Sequence, residues 1–439
     1  MELSENDQKI KNPKVNKSKK NSVNKDLGIT IKKVEYEEKE LEDDESNDLH
    51  NSTDNSQNIS PKDISGFENL NLKENIIKGV YLYGFKKPSK IQVEGIKALN
   101  TGKDCILQSQ SGTGKTATYL LGVINSMEEN DKTQGLIITP TRELSLQVHL
   151  VATEICKYTK LKVELCTGSV SINQNRSKLK TANLIIGTLG RVYHMVHENR
   201  INLYNLKIFV LDEADDLLTD GVSKELNNLL NRIPDGAQTC LISATLSQNV
   251  FSLSKKIMHD PLKILLKKNE IPVDLIKQYY IDAEYEELKF DVLIDLYNLI
   301  ATSQAIIFCN TIRKVEWLDK SLKEQNFSIK SIHGKMTTKE RTDVVNEFRD
   351  GKSRILITTD LLARGIDIPQ VNLVLNYDLP PNKETYIHRI GRCGRFGKKG
   401  IAIALVKLED QFDVKTLNRM KTYYNMNIEP LPEDIENYL

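Results

Sequence analysis

Two short strings in this chain carry groups that could act on a nucleoside triphosphate. The first is Ser109-Gln110-Ser111-Gly112-Thr113-Gly114-Lys115-Thr116. Gly112 and Gly114 let the backbone turn its N–H groups toward phosphate oxygens, and the helix expected to follow adds its positive N-terminal dipole. Lys115 can reach the β- and γ-phosphates, and the Thr116 hydroxyl can ligate magnesium. Ser109 stands where such loops usually carry their first glycine. The second string, Asp212-Glu213-Ala214-Asp215, lies directly behind the apolar run Lys207–Leu211. Asp212 suits the magnesium shell, generally through water, and Glu213 suits a general base or an orienter of the attacking water. Each string alone has a plain alternative: a glycine-rich helix entry without ligand, or acidic residues placed at a helix start by the macrodipole. Both strings in this order point to nucleotide hydrolysis.

Upstream, Gln92 closes the string Gly84-Phe-Lys-Lys-Pro-Ser-Lys-Ile-Gln92. A glutamine amide offers a donor and an acceptor, matching adenine's N7 and N6 amine in one bidentate contact. Guanine presents an acceptor where adenine has a donor, so such a site selects ATP. Phe67 could stack on the same ring, or serve as an ordinary core aromatic.

The elements that must position these groups are legible as alternating apolar runs and helical patterns from Gly66 onward. Strands are expected at Cys105–Leu107, Gly135–Thr139, Val163–Cys166, Asn183–Ile186, Lys207–Leu211 and Thr239–Ile242, with helical spacing over Thr116–Met127 and Thr141–Tyr158. A second series runs Ile276–Ile281, Ala305–Phe308, Ile329–Ile332, Arg354–Ile357, Leu373–Leu375 and Ile401–Leu405. Strand–helix alternation predicts an α/β fold, each half a mostly parallel sheet covered on both faces. The stretch Lys263–Pro272 reads as the linker; the domain bounds are 66–265, linker 266–273, and 274–439. Residues 1–65 are polar, with a Lys/Asn/Ser-rich start and the acidic run Glu35–Asp48, and are expected to form a disordered tail. Its charge blocks could also pair with each other or tether RNA weakly.

Bulk composition narrows the class. The 439 residues hold 61 Lys+Arg against 60 Asp+Glu, a net charge of +1, so any nucleic-acid site must come from local clustering. Six scattered cysteines, at positions 105, 156, 166, 240, 309 and 393, lack metal-type spacing and read as small apolar residues in a reducing compartment. With no bilayer-length apolar run and no signal-peptide pattern, a soluble intracellular protein is expected, cytoplasm and nucleus both open.

The ordered strings resemble those of the DEAD-box RNA helicases: GFKKPSKIQ, SQSGTGKT, PTREL (140–144), DEAD, SAT (243–245), TTDLLARGID (358–367) and HRIGRCGR (388–395). Within that family the chain is most similar to the initiation factor 4A group, through YGFKKPSKIQ, NYDLP (376–380), YIHRIGR and the ending LPEDIENYL. The resemblance covers about residues 66–439. It implies two tandem RecA-like domains clamping ATP and Mg2+ between them, in a monomer free of membrane association. The first domain would supply Gln92, the loop 109–116 with Lys115 and Thr116, Asp212 and Glu213. The second would supply Asp367 for the ribose, with Arg392 and Arg395 as arginine fingers on the γ-phosphate. A basic RNA patch is the plain alternative for Arg389, Arg392 and Arg395. His388 would link to Asp215 or to the segment holding Ser243 and Thr245, or be a satisfied structural histidine.

Single-stranded or short duplex RNA would run along Pro140, Thr141, Arg142, Gly168, Thr188, Gly190, Arg191, Thr358 and Gly365, held by phosphates and 2′-hydroxyls. The resemblance also implies protein partners of unspecified identity. Three departures from the family pattern stand out: Ser169 after Gly168, Leu189 in place of a proline, and Thr338 before Lys339-Glu-Arg341. The expected activity is RNA-stimulated ATP hydrolysis with local duplex separation. An ATP-dependent RNA clamp with slow hydrolysis and a DNA translocase are the rivals.

Overall fold

The apolar runs fold as strands of two all-parallel sheets in the computed structural model. It describes residues 66–109, 113–168, 172–219, 221–265, 276–296, 304–362, 371–393, 400–424 and 426–432. The first sheet contains β1 (Cys105–Gln108), β2 (Gly135–Thr139), β3 (Val163–Cys166), β4 (Leu184–Thr188), β5 (Ile208–Leu211), β6 (Gln238–Ser243) and β7 (Leu262–Leu265), in the order β3-β4-β2-β5-β6-β1-β7. The second contains β8 (Ile276–Asp282), β9 (Gln304–Phe308), β10 (Ile329–Ile332), β11 (Ile355–Thr358), β12 (Val371–Asn376), β13 (Gly400–Val406) and β14 (Ile428–Pro430), in the equivalent order β10-β11-β9-β12-β13-β8-β14.

Parallel strands are covered by helices on both faces, so both residues of each pleat must be apolar. Every residue of β2, β5, β6 and β13 is buried, and β2 reads GLIIT. Cys105, Leu107, Ile137, Val210 and Ile242 face one core layer; Ile106, Leu136, Ile138, Phe209 and Leu241 face the other. Each such side chain contributes about 1.5–3 kcal/mol on burial, which fixes the register of the sheet and hence where its strand ends lie.

The expected strands appear within a residue or two of their sequence bounds. Two edge strands were not expected. Lys263–Leu265, read as the start of the linker, pairs with β1 through Ile106↔Lys263 and Gln108↔Leu265. Its burial alternates and ends exposed, the signature of a half-wet edge rather than a core strand. β14 is three residues long and closes on Pro430, which an edge tolerates. The remaining linker residues 266–273 and the tail 1–65 lie outside the described residues. No helix among the described residues is long and apolar enough to cross a membrane, and all six cysteines are free and buried.

Candidate active site

The strand order places three expected segments side by side. β5, β6 and β1 are neighbours, with Leu211 opposite Leu241 and Gln108 opposite Ser243. Their carboxyl ends carry Asp212, Ser243 and the phosphate loop, the end of an open α/β sheet where ligands bind. Ser109 N donates to Ser243 O at 3.2 Å, and Asp212 N donates to Ile138 O at 2.9 Å, tying these segments to the ladder.

Gly114 caps the helix Lys115–Ser126 with φ 99°, a left-handed conformation that favours glycine. A Cβ there would also stand 2.7 Å from Gln92 Nε2. Gln92 is held in a capping box: its Oε1 accepts from Ser89 N at 2.8 Å, while the helix Lys90–Leu99 starts at its own turn. The amide is thereby aimed with Nε2 toward the loop. Ser89 Oγ donates to Thr113 O at 3.0 Å, and the Ser109 and Thr113 hydroxyls bond each other. Gln110, Ser111 and Gly112 lie outside the described residues.

Glu213 caps a short helical turn at φ 48°, ψ 53°, an uncommon conformation for a side-chain-bearing residue and one that concentrates at functional sites. This turn sends its carboxylate back across the loop, with Oε2 3.8 Å from Lys115 Nζ. Both groups are buried, and among the described residues neither Lys115 Nζ nor Glu213 Oε2 has a hydrogen-bond partner. A buried ammonium and carboxylate with open valences form a cradle for phosphate oxygens and a water. Asp212 is 3 % exposed; its Oδ2 accepts from Tyr119 Oη at 2.7 Å and its Oδ1 from Glu213 N at 3.0 Å. Burial, then the Glu213 charge, pushes the Asp212 carboxyl up to about 7, against the pull of Lys115 and Tyr119. Burial and Asp212 hold the Tyr119 phenol well above its ordinary value, so it stays a donor. Thr116 and Asp212 both offer oxygen donors, a chemistry that fits a hard divalent cation such as magnesium.

The second domain reaches this site through the helix Lys383–Ile390, capped by Asn382. His388 is 1 % exposed, and its Nε2 stands 3.4 Å from Asp215 Oδ2, close enough for charge attraction but outside hydrogen-bond geometry. The same Asp215 oxygen accepts from Thr245 Oγ1 at 2.8 Å, and Ser243 Oγ donates to Thr245 O at 2.6 Å. Asp215, Ser243, Thr245 and His388 are thus brought together. Arg392 is buried at the end of that helix, its Nε donating to His388 O at 3.2 Å. Asp367 and Arg395 lie outside the described residues.

Several expected residues sit elsewhere than the sequence suggested. Phe67 is wholly buried, 6.1 Å from the Tyr81 ring and 6.2 Å from Phe85, so no ring face is open to a nucleotide. It fills the core role. Arg389 is not part of a basic surface: it is 0 % exposed and donates to Asp360 Oδ1 at 2.6 Å, Asp378 O at 2.7 Å and Asn310 Oδ1 at 2.7 Å. It bolts the motif helix to three strand ends.

Along the carboxyl ends of β2, β3 and β4 lie Pro140, Thr141, Arg142, Gly168, Thr188, Gly190 and Arg191, each wholly or partly exposed. Arg191 Nη2 donates to Gly168 O at 3.3 Å, and a Cβ on Gly168 would meet Arg142 Nη2 at 2.7 Å. Two guanidiniums therefore converge on one glycine. Gly190 opens onto free space, where a ligand backbone can approach closely. Thr188 caps the next helix, and Leu189 at its first position keeps a backbone N–H that a proline lacks. Thr358 is fully buried with its hydroxyl donated to Thr359 O, so the structure does not bring that side chain to the track. Gly365 and Ser169 lie outside the described residues, as does the side chain of Thr338.

Sequence reasoning missed two participants. Spacing places Tyr119 on the Lys115 face of its helix, one turn on, but nothing local pairs it with Asp212. The Glu143–Arg341 pair had no local signal, because its members lie in different domains.

A phosphate loop, an acidic strand end and a second parallel-sheet domain meeting them with histidine and arginine define a two-domain nucleotide-driven motor of RecA-like architecture. The DEAD/DEAH box helicase family matches residues 89–253, and the helicase conserved C-terminal domain matches residues 288–397. The chain belongs to the DEAD-box RNA helicases. It is 45% identical over 374 residues to the ATP-dependent RNA helicase FAL1 of Kluyveromyces lactis, covering 84% of this chain and 93% of that one. It is 46% identical over 371 residues to eIF4A of Candida albicans, again covering 84% and 93%. Among solved structures, S. cerevisiae Dbp5 bound to RNA and ADP BeF3 matches with TM-score 0.79 and 37% identity, over 85% of this chain and 97% of that one. Another Dbp5 structure, bound to Nup159 and Gle1, matches with TM-score 0.59 and 35% identity, over 84% and 98%.

Proposed function

We propose that this chain is an ATP-dependent RNA helicase that hydrolyses ATP when RNA and nucleotide together close its two domains. The observation that carries the reading is the contact of His388 with Asp215 and, through it, Thr245 and Ser243. It couples the acidic strand end of one domain to the arginine-bearing helix of the other. Gln92 selects adenine, the loop Ser109–Thr116 cradles the phosphates, and Asp367 takes the ribose. Thr116 and Asp212 would hold magnesium, which neutralises phosphate charge when bound. Glu213 orients the attacking water and receives its proton, while Lys115, Arg392 and Arg395 stabilise charge on the transferring phosphoryl group.

RNA lies along Pro140, Thr141, Arg142, Gly168, Thr188, Gly190 and Arg191 and continues to Gly365. Backbone contacts there predict little sequence preference, and 2′-hydroxyl contacts predict RNA over DNA. Protein partners join it as well, a reading supported by the relative Dbp5, whose structure is bound to Nup159 and Gle1.

The test measures ATP turnover with and without single-stranded RNA, and displacement of a short RNA duplex at saturating ATP. RNA-stimulated turnover with displacement is expected. Tight ATP-dependent RNA retention without displacement would instead make the protein a clamp, and equal stimulation by single-stranded DNA would make it a DNA translocase.

A further inference from the structure

We infer that Tyr119 is a positioning residue for the divalent cation: its hydroxyl fixes the Asp212 carboxylate in the orientation that receives the metal. This rests on the proposed role of Asp212 as a metal ligand and adds a residue to it.

Tyr119 sits on the helix Lys115–Ser126, one turn beyond Lys115 and three residues beyond Thr116, so all three side chains share a face. Its ring is part of the core layer with Leu107, Ile137 and Val210 and is 0 % exposed. A purely apolar ring would serve that packing. A buried hydroxyl there is costly unless it is bonded. Its partner is Asp212 Oδ2, 2.7 Å away. The phenol therefore touches Asp212, one member of the expected metal-binding pair, from the helix that carries the other.

The consequence for Asp212 is geometric. A carboxylate can turn about its last bond, and a single anchor leaves that rotation open. Here Oδ1 is held by Glu213 N at 3.0 Å and Oδ2 by Tyr119 at 2.7 Å, so the plane is fixed from both sides. Each oxygen keeps one further lone-pair site, which is what a cation or its bound water needs. Glu213 N comes from the strained turn that also aims the Glu213 carboxylate. Tyr119 adds the second anchor that this turn alone does not supply.

The experiment removes only the hydroxyl, as Tyr119→Phe, in the full chain. Mn2+ binding to the ADP complex is followed by water-proton relaxation, alongside ADP affinity measured with chelator present. The expected result is about a tenfold weaker Mn2+ affinity, ~1.4 kcal/mol, with metal-free ADP affinity unchanged. Unchanged or tighter Mn2+ binding overturns the proposal, the latter because the phenol would then be competing with the metal. Equal loss of metal-free ADP binding also overturns it, since the hydroxyl would then be supporting the pocket generally. Asp212→Asn is the separating control. If that variant keeps full Mn2+ affinity, the ligand role of Asp212 fails; if it loses affinity while Tyr119→Phe does not, only the role of Tyr119 fails.

Discussion

Arg341 Nη1 stands 2.7 Å from Glu143 Oε1, joining the first turn of the helix Arg142–Ile155 in one domain to the helix Thr338–Arg349 in the other. Both side chains are largely buried, and among the described residues Arg341 Nε and Glu143 Oε2 have no hydrogen-bond partner. Glu143 follows Arg142, so this contact bridges the domains beside a residue of the proposed RNA path, and it shares no residue with the His388–Asp215 contact. Two bridges with no residue in common oppose the parting of the domains. A closed state held this way gives ATP and RNA a shared arrangement to stabilise, which is the origin of cooperativity between them.

Arg341→Ala should therefore weaken closure rather than chemistry. We expect the KM for ATP in the presence of RNA to rise about tenfold, with ATP binding to the RNA-free protein little changed. A Glu143→Arg, Arg341→Glu exchange should recover part of the loss, as a coupling energy of about 1–3 kcal/mol in a double-mutant cycle. Equal KM values with and without the pair would show that it contributes nothing to closure.

Glu213→Gln keeps the size of the side chain and the capping turn but removes the base. Nucleotide and RNA binding should persist while hydrolysis falls by about two to four orders of magnitude. Single-turnover hydrolysis, compared with equilibrium binding of a fluorescent ATP analogue, checks this. RNA-stimulated turnover near the unmutated level would remove Glu213 from its assigned role.

How much of this was legible in the sequence follows from distance along the chain. Lys115, Thr116, Asp212 and Glu213 belong to contiguous strings at strand ends, and the strands announce themselves as fully buried apolar runs. Local pattern therefore located the candidate site. Tyr119 and Asp212 are 93 positions apart, and no local periodicity predicts that a core aromatic will direct its hydroxyl at a carboxylate. Arg389 reads as surface charge beside Arg392 and Arg395, yet burial with Asp360, Asn310 and Asp378 makes it a structural hub; only the tertiary fold supplies those acceptors. Phe67 had two readings in the sequence, a ring stacked on adenine or a core aromatic, and its burial beside Tyr81 and Phe85 matches the second. β7 and β14 escaped because edge strands are half-exposed, short, and need no continuous apolar run.

A carboxyl raised to about 7 inside a fold is a stability cost at the pH where it works. The ordinary value for Asp212 is 3.8, and burial followed by the charge of Glu213 raises it to about 7. The folded state therefore binds this proton more tightly than the unfolded chain. The resulting penalty is absent below about pH 4, grows between 4 and 7, and is complete above 7. Asp212→Asn should melt at a higher temperature than the unmutated protein at pH 8 without nucleotide, and the gain should shrink toward pH 5. Magnesium and nucleotide should narrow the difference by stabilising the unmutated protein. A variant that melts lower at pH 8 would show that the two hydrogen bonds to Asp212 outweigh its burial.

The second domain titrates with the opposite sign. Lys314 Nζ lies 2.6 Å from both Glu286 Oε1 and Asp378 Oδ1, and Lys289 Nζ lies 3.0 Å from Glu286 Oε2. Burial raises the Glu286 carboxyl, but hydrogen bonds and charge from Lys314 and Lys289 outweigh it and bring it from 4.5 down to about 2. A depressed carboxyl stabilises the fold fully above its unfolded value and loses that contribution as pH falls toward the folded one. The loss should fall between about pH 4.5 and 2. Glu286 is 40% exposed, so solvent screening keeps the effect modest and sensitive to salt. Glu286→Gln should lower the melting temperature at pH 7 and flatten its decline between pH 4.5 and 3, with the difference diminishing at high ionic strength. Parallel acid-melting curves for the variant and the unmutated chain would place the acid sensitivity of this domain elsewhere.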